Sequence, residues 1–235
     1  MHISPQISAA SIVALGHFNP LIFTTDWLKD KEIVVGNDFE ELKTKIVHPE
    51  IVSYQLPWGN FQTDRNQFTV SAVREPLVRV YDFFVRCFQI LPETPIKAVG
   101  INREVHFSAG SEAAADRIGD ALAPKDFWGD FVRADGKKSG GLRALVMEQS
   151  LKSKGQRARL DGKMGYIQVR VESSLQRDMP FGIFVQVNDH FDLVKDGDKL
   201  SDGRAVAELV AETFENSIKN SEHLIDRVME LALAS

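Results

Sequence analysis

The strongest constraint in this sequence is alternation along two strands, each interrupted by one charge. In Ile96–Phe107, the residues Val99, Ile101, Val105 and Phe107 share a side with Arg103, while Asn102, Glu104 and His106 point the other way. In Phe181–Leu193, Phe181, Ile183, Val185, Val187, Phe191 and Leu193 share a side with Asp189, and His190 and Asp192 lie opposite. An unpaired charge on an apolar face is very costly, so each needs a partner. The expectation is that Arg103 and Asp189 pair with each other across a sheet. The two charges mark a structural ion pair, strand ends where the face meets water, or a ligand-contacting polar site in a cavity between sheet and helices.

The other segments read as follows. Ser8–Phe18 is a first strand, broken by Asn19-Pro20, and a short helix follows over Pro20–Lys29. Ile33–Val35 reads as a short strand and Asp38–Lys45 as a helical turn. Val47–Leu56 and Gln67–Val73 read as two strands joined through a turn at Pro57-Trp58-Gly59-Asn60. A helix starting at Glu75-Pro76 carries Leu77, Val80, Tyr81, Phe84, Cys87, Phe88 and Leu91 at helical spacing. Ser111 caps a helix over Glu112–Leu122. Pro124–Gly141 reads as a connection anchored by Phe127, Trp128 and Phe131. Strands follow at Leu142–Leu151, Met164–Glu172 and Phe181–Leu193, then a polar loop at Asp196–Gly203. Arg204–Leu233 reads as one amphipathic helix of about 45 Å.

Short connections make the late strands an antiparallel meander. Helices that follow groups of strands belong on one sheet face, which gives an α+β fold: curved antiparallel sheet packed by long helices. Each half ends in a major helix after a set of strands. The order is that of a duplicated strand-strand-strand-helix unit with halves at 1–95 and 96–235, although no residues match between them. The whole is expected to be one domain.

At 235 residues, 43% hydrophobic and 26% charged, the chain is long enough to bury about 70% of its unfolded surface without a staple. The single cysteine, Cys87, allows no intrachain disulfide and suits a reducing compartment. Met1–Gln6 lacks the basic start and apolar run of a secretory leader, and no apolar stretch approaches the roughly 20 residues of a membrane span. A cytoplasmic protein without membrane contact is expected. The net charge of −5 argues against global attraction to nucleic acid. From Arg133 to Lys163, however, nine basic residues face three acids, so that segment carries +6 and the remainder −11. Lys152, Lys154, Arg157, Arg159 and Lys163 form its basic hairpin tip. That tip reads as a solvated loop first, then as a contact for an acidic protein partner or for nucleic-acid phosphates.

Motifs for catalysis are missing. Glu104, His106, His190 and Asp192 would make a polar site if their strands were neighbours, but a solvated face is the simpler reading. There is no His-Glu-x-x-His and no paired-cysteine motif, so neither a catalytic residue nor a metal or other cofactor is assigned. Gly136-Lys137-Lys138-Ser139-Gly140-Gly141 lacks phosphate-loop spacing and precedes a strand instead of a helix. Cys87 sits on a buried stripe and reads as a small core side chain.

The Gly100-Ile101-Asn102-Arg103 core of the strand at Ile96–Phe107 resembles the Asn-Arg-bearing strand of a sporadically distributed, uncharacterised bacterial protein family. The Asp-bearing strand at Phe181–Leu193 and the long helix beyond it extend the likeness, which runs from about Gln67 to the C-terminus. The resemblance implies an α+β architecture in a bacterial cell and brings no activity, substrate or cofactor. The functional expectation is therefore a non-enzymatic interaction or assembly protein that forms homo-oligomers. A small-ligand carrier with Arg103 as anion anchor, and a hydrolase using His106 or His190 with Glu104 or Asp192, are the alternatives.

Overall fold

A computed structural model gives the coordinates, which describe residues 3–134, 137–138, 140–153, 156–194 and 200–233. The first strand, β1 (Ile7–Gly16), leads through a 3-10 turn at Pro20–Ile22 to two short helices, α1 (Thr25–Asp30) and α2 (Asn37–Glu40). Four strands follow: β2 (Lys43–His48), β3 (Ile51–Leu56), β4 (Gly59–Asp64) and β5 (Gln67–Ala72). Helix α3 (Arg79–Ile90) closes this half. The second half begins with β6 (Ile96–Ser108) and α4 (Glu112–Leu122), then a 3-10 segment at Lys125–Val132. Two small ribbons, β7 (Arg133–Ala134) with β8 (Lys137–Lys138) and β10 (Leu151–Ser153) with β11 (Gln156–Ala158), flank β9 (Ala144–Gln149). The chain ends with β12 (Gly165–Ser173), β13 (Gly182–Asp192) and α5 (Gly203–Glu230).

Nine strands form one curved, unclosed antiparallel sheet in the order β2-β3-β4-β5-β1-β6-β13-β12-β9. The α+β class and the late meander are as the patterning implies. Both halves run the same course. A central strand (β1 or β6) is followed by helix, then by a meander that returns inward to that strand, then by a closing helix (α3 or α5). The two central strands pair with each other, Ile12 opposite Ile101. The first half has four meander strands and the second has three.

Two apolar clusters lie on the helix-covered side, and the larger one reaches across both halves through Val99, Ile101, Phe191, Val206 and Phe214. This first core is built on Phe23, Phe61, Phe68, Phe83, Phe84 and Phe88, all buried. The second joins Val105, Phe107, Ile118, Val185, Ile225 and Val228. Alternation explains both: Val99, Ile101, Val105 and Phe107 are each buried against helices because they share a strand face. Asp202 caps α5 by accepting from the Ala205 amide at 2.8 Å, and Ser111 caps α4 from Ala114 at 3.2 Å. Cys87 is buried in the first core. No helix among the described residues is long and apolar enough to cross a membrane.

Several local expectations are corrected. Ile33–Val35 is not a strand, because the amides of Ile33 and Val34 both donate to Leu28 at the end of α1. The helical turn at Asp38–Lys45 stops at Glu40, and β2 starts at Lys43. Val47–Leu56 is two strands in a hairpin; Pro49 cannot donate to a ladder, and the Glu50 amide donates to His48 Nδ1. The turn at Pro57–Asn60 spans only Pro57 and Trp58, since Gly59 already begins β4. An added Cβ at Gly59 would come within 1.8 Å of the Ser71 carbonyl oxygen, so this close approach needs glycine. Helix α3 starts at Arg79, later than Glu75-Pro76, because the Glu75 carboxylate accepts from the Leu77 amide and holds a turn there. Most of the loop expected at Asp196–Gly203 lies outside the described residues.

Candidate functional site

Arg103 and Asp189 are both 5% exposed, on neighbouring strands and on the helix-covered face. Val187 stands opposite Arg103, and Asp189 opposite Ile101. The two charges do not pair with each other, which corrects the expected cross-sheet ion pair. The reason is that nearer partners hold each of them. Asp189 is bound by Arg159 Nη1 on one oxygen and by the Ser217 hydroxyl of α5 at 2.5 Å on the other. Arg159 also clamps Asp161 at 3.0–3.2 Å and lies over the Phe191 ring at 4.2 Å. Arg103 donates to the carbonyls of Ala9 and Glu104 at 3.0 Å and to the Ser8 hydroxyl at 2.9 Å. Its Nε faces the Glu222 carboxylate of α5 at 3.6 Å. Burial lowers the Arg103 guanidinium pKa, while Glu222, Glu75 and Asp226 push back. Both networks fasten α5 to the sheet.

The basic hairpin tip is therefore not a single cationic patch. Arg159 is 8% exposed and folds beneath the turn; Lys163 reaches Glu212 of α5 at 3.3 Å. Lys154 lies outside the described residues, as do the side chains of Lys152 and Arg157. Asp161-Gly162, two residues beyond Arg159, is the local sign that the chain turns back there, with Gly162 at φ 79°.

Glu104, His106, His190 and Asp192 all face the side of the sheet that no helix covers, but they form two separate groups. Gln186 stands opposite Glu104 and donates to it at 2.6 Å. His106 packs at a tilt against Phe184, ring centroids 4.7 Å apart, and its Nδ1 lies 2.8 Å from the Ser174 hydroxyl. Burial lowers the His106 pKa, with Glu104 and Glu172 acting in opposition. His190 stacks on Tyr166 at 4.5 Å and its Nε2 meets Asp192 at 3.1 Å. His190 is opposite Gly100, four residues from Glu104, or about 13 Å along the strand. No group of three or more metal-ligating side chains occurs among the described residues. Between the two groups runs a row of short polar side chains, Ser71, Ser11, Asn102, Asn188 and Gln168, carried on five adjacent strands.

A groove of about 660 Å³ opens between the start of α3 and the middle of α5. Leu77, Tyr81, Phe214 and Ile218 line it, with Glu75, Glu215 and Glu222 among its polar groups. Arg103 is not an open anion anchor for such a groove, because Glu222 already faces it.

Two surface features carry more information. Phe127, Trp128 and Phe131, expected as apolar anchors, are 87%, 51% and 80% exposed. Their 3-10 segment is kinked at Gly129 (φ 50°), and of its residues only Val132 is buried. Phe127 meets Trp128 edge-on at 5.4 Å, and Trp128 lies 6.0 Å from Phe131. The second feature is the outer strand β9. Val146 is 51% and Met147 60% exposed. Between the two features, Val132 packs on Gly140, and Leu142 on Gly119 of α4. Asp126 and Asp130, each directly before an aromatic residue, are the available sequence sign that this segment faces outward. No protein-family model matches the chain, and no curated protein matches it.

Proposed function

We propose that this chain is a non-enzymatic assembly protein that works by associating with a second copy of itself. The carrying observations are the aromatic trio Phe127, Trp128 and Phe131, exposed and outside both cores, and the outer strand β9, which pairs in the sheet with β12 alone. Rigid aromatic side chains are the residues that most often anchor protein interfaces. The surface they leave in water contributes nothing to folding. The separation of Glu104 and His106 from His190 and Asp192 favours association over catalysis. The use of Arg159 and Lys163 within the chain weakens the reading of an acidic partner or nucleic acid.

Light scattering over a dilution series tests this. Self-association is expected, and replacing Phe127, Trp128 and Phe131 together by serine should weaken it at least about tenfold. A strict monomer at every concentration would remove the proposal.

The groove between α3 and α5 supports a second reading, a carrier of a small ligand. Its apolar walls, with three carboxylates against the one ammonium of Lys219, suit an apolar molecule bearing a cationic group. Native mass spectrometry of the purified protein should then retain such a ligand, and Glu222→Gln should release it.

A further inference from the structure

We infer that two copies pair through β9, antiparallel about a two-fold axis at Val146, so that their sheets continue as one. This rests on the assembly reading above and names the contact.

Among the described residues, the second half contributes one strand fewer to the nine-stranded sheet than the first. Counting outward from the central pair, β5, β4 and β3 correspond in place to β13, β12 and β9. In the first half β2 covers the outer side of β3, and the inward residues Val52, Tyr54 and Leu56 are 1%, 1% and 3% exposed. Among the described residues no further strand pairs with the outer side of β9, and its inward Met147 remains 60% exposed. A sheet-edge strand presents a row of unpaired amides and carbonyls along with its side chains.

The two edges are built differently. The β2 edge carries Lys43 and Lys45 and a register shift between Thr44 and Ile46, devices that discourage a further strand from adding. Strand β9 has no lysine, and it pairs with β12 residue for residue from Ala144 to Gln149 without a shift. One edge is guarded and the other is open, which favours a closed pair over a head-to-tail chain.

The sequence of β9 suits its own copy. A two-fold perpendicular to the sheet keeps each face on its own side, so odd positions meet odd and even meet even. Centred on Val146, the pairing sets Leu145 opposite Met147 on the helix-covered side. On the other side Val146 meets Val146, and Ala144 meets Glu148. Arg143 meets Gln149, so no charge faces its like. Moving the centre to Met147 sets Val146 against Glu148. Moving it to Leu145 sets Arg143 against Met147. The Val146 register alone of the three keeps every apolar side chain except Ala144 against another.

Cysteine cross-linking tests the register. With Cys87 buried, Val146→Cys leaves one accessible thiol per chain, facing its mate across the axis. Mild oxidation should link Val146→Cys at least about ten times faster than Ala144→Cys, whose mate is Glu148. Val146→Lys, which sets two ammonium groups face to face, should turn the dimer into a monomer with an unchanged circular dichroism spectrum. A dimer that survives Val146→Lys and gives no Val146→Cys link overturns the β9 contact but leaves self-association standing. Species that lengthen with concentration point to a β2–β9 contact and overturn it too. A wild-type monomer at all concentrations overturns both.

Discussion

Ser217, midway along α5, donates its hydroxyl to Oδ2 of Asp189 on β13 at 2.5 Å, while Arg159 holds the other carboxylate oxygen. Segments 28 and 30 residues away in the chain thus meet on one buried carboxylate. The arrangement is a clamp that holds the last helix and the turn before β12 onto the same strand.

Breaking a buried pair leaves its partner charged and unsatisfied. Asp189→Ala and Arg159→Ala should each cost about 3–5 kcal/mol in urea unfolding. The double variant should cost much less than their sum. Arg103 shares no partner with Asp189, so Arg103→Met and Asp189→Ala should add to within about 0.5 kcal/mol. Strong coupling in that second cycle would contradict the partner assignment.

Burial holds the His106 imidazole pKa below its ordinary value of 6.5. Between its folded value and 6.5 the unfolded chain binds more protons at this group, so stability rises with pH there. Its contribution is present above about pH 6.5 and is lost as pH falls below that. Melting temperatures between about pH 7.5 and pH 5 should fall less steeply for His106→Gln than for the wild type. Equal slopes would show that His106 does not carry this dependence.

Cys87 is fully buried, and burial pushes its thiol pKa well up. Both effects suppress the thiolate that reacts. A thiol reagent should leave the native protein unlabelled and modify one equivalent after unfolding in urea. Rapid labelling without denaturant would mean that α3 opens readily.

The strands and their layer were legible because Ile96–Phe107 and Phe181–Leu193 alternate cleanly, and a period of two leaves one assignment of faces. The burial of Arg103 and Asp189 followed from the same pattern. Their partners did not, because Ser8, Arg159, Ser217 and Glu222 reach them through tertiary packing that no spacing encodes. Strand β4 was hidden by Pro57-Trp58-Gly59-Asn60, whose turn residues masked the alternation of Phe61 and Thr63 with Asn60 and Gln62. In the sequence Phe127, Trp128 and Phe131 have the look of apolar anchors for the connection at Pro124–Gly141. Only the fold of the Lys125–Val132 segment shows them turned to solvent.

The pairing of β1 with β6 runs from Ile7 to Gly16 against Ile96 to His106 and is the seam on which the two halves meet. Neither half can melt without stripping a ladder of hydrogen bonds from the other. A polypeptide severed near Thr94 would bare the inner margin of both sheets, so the intact chain should lose its structure in a single cooperative transition.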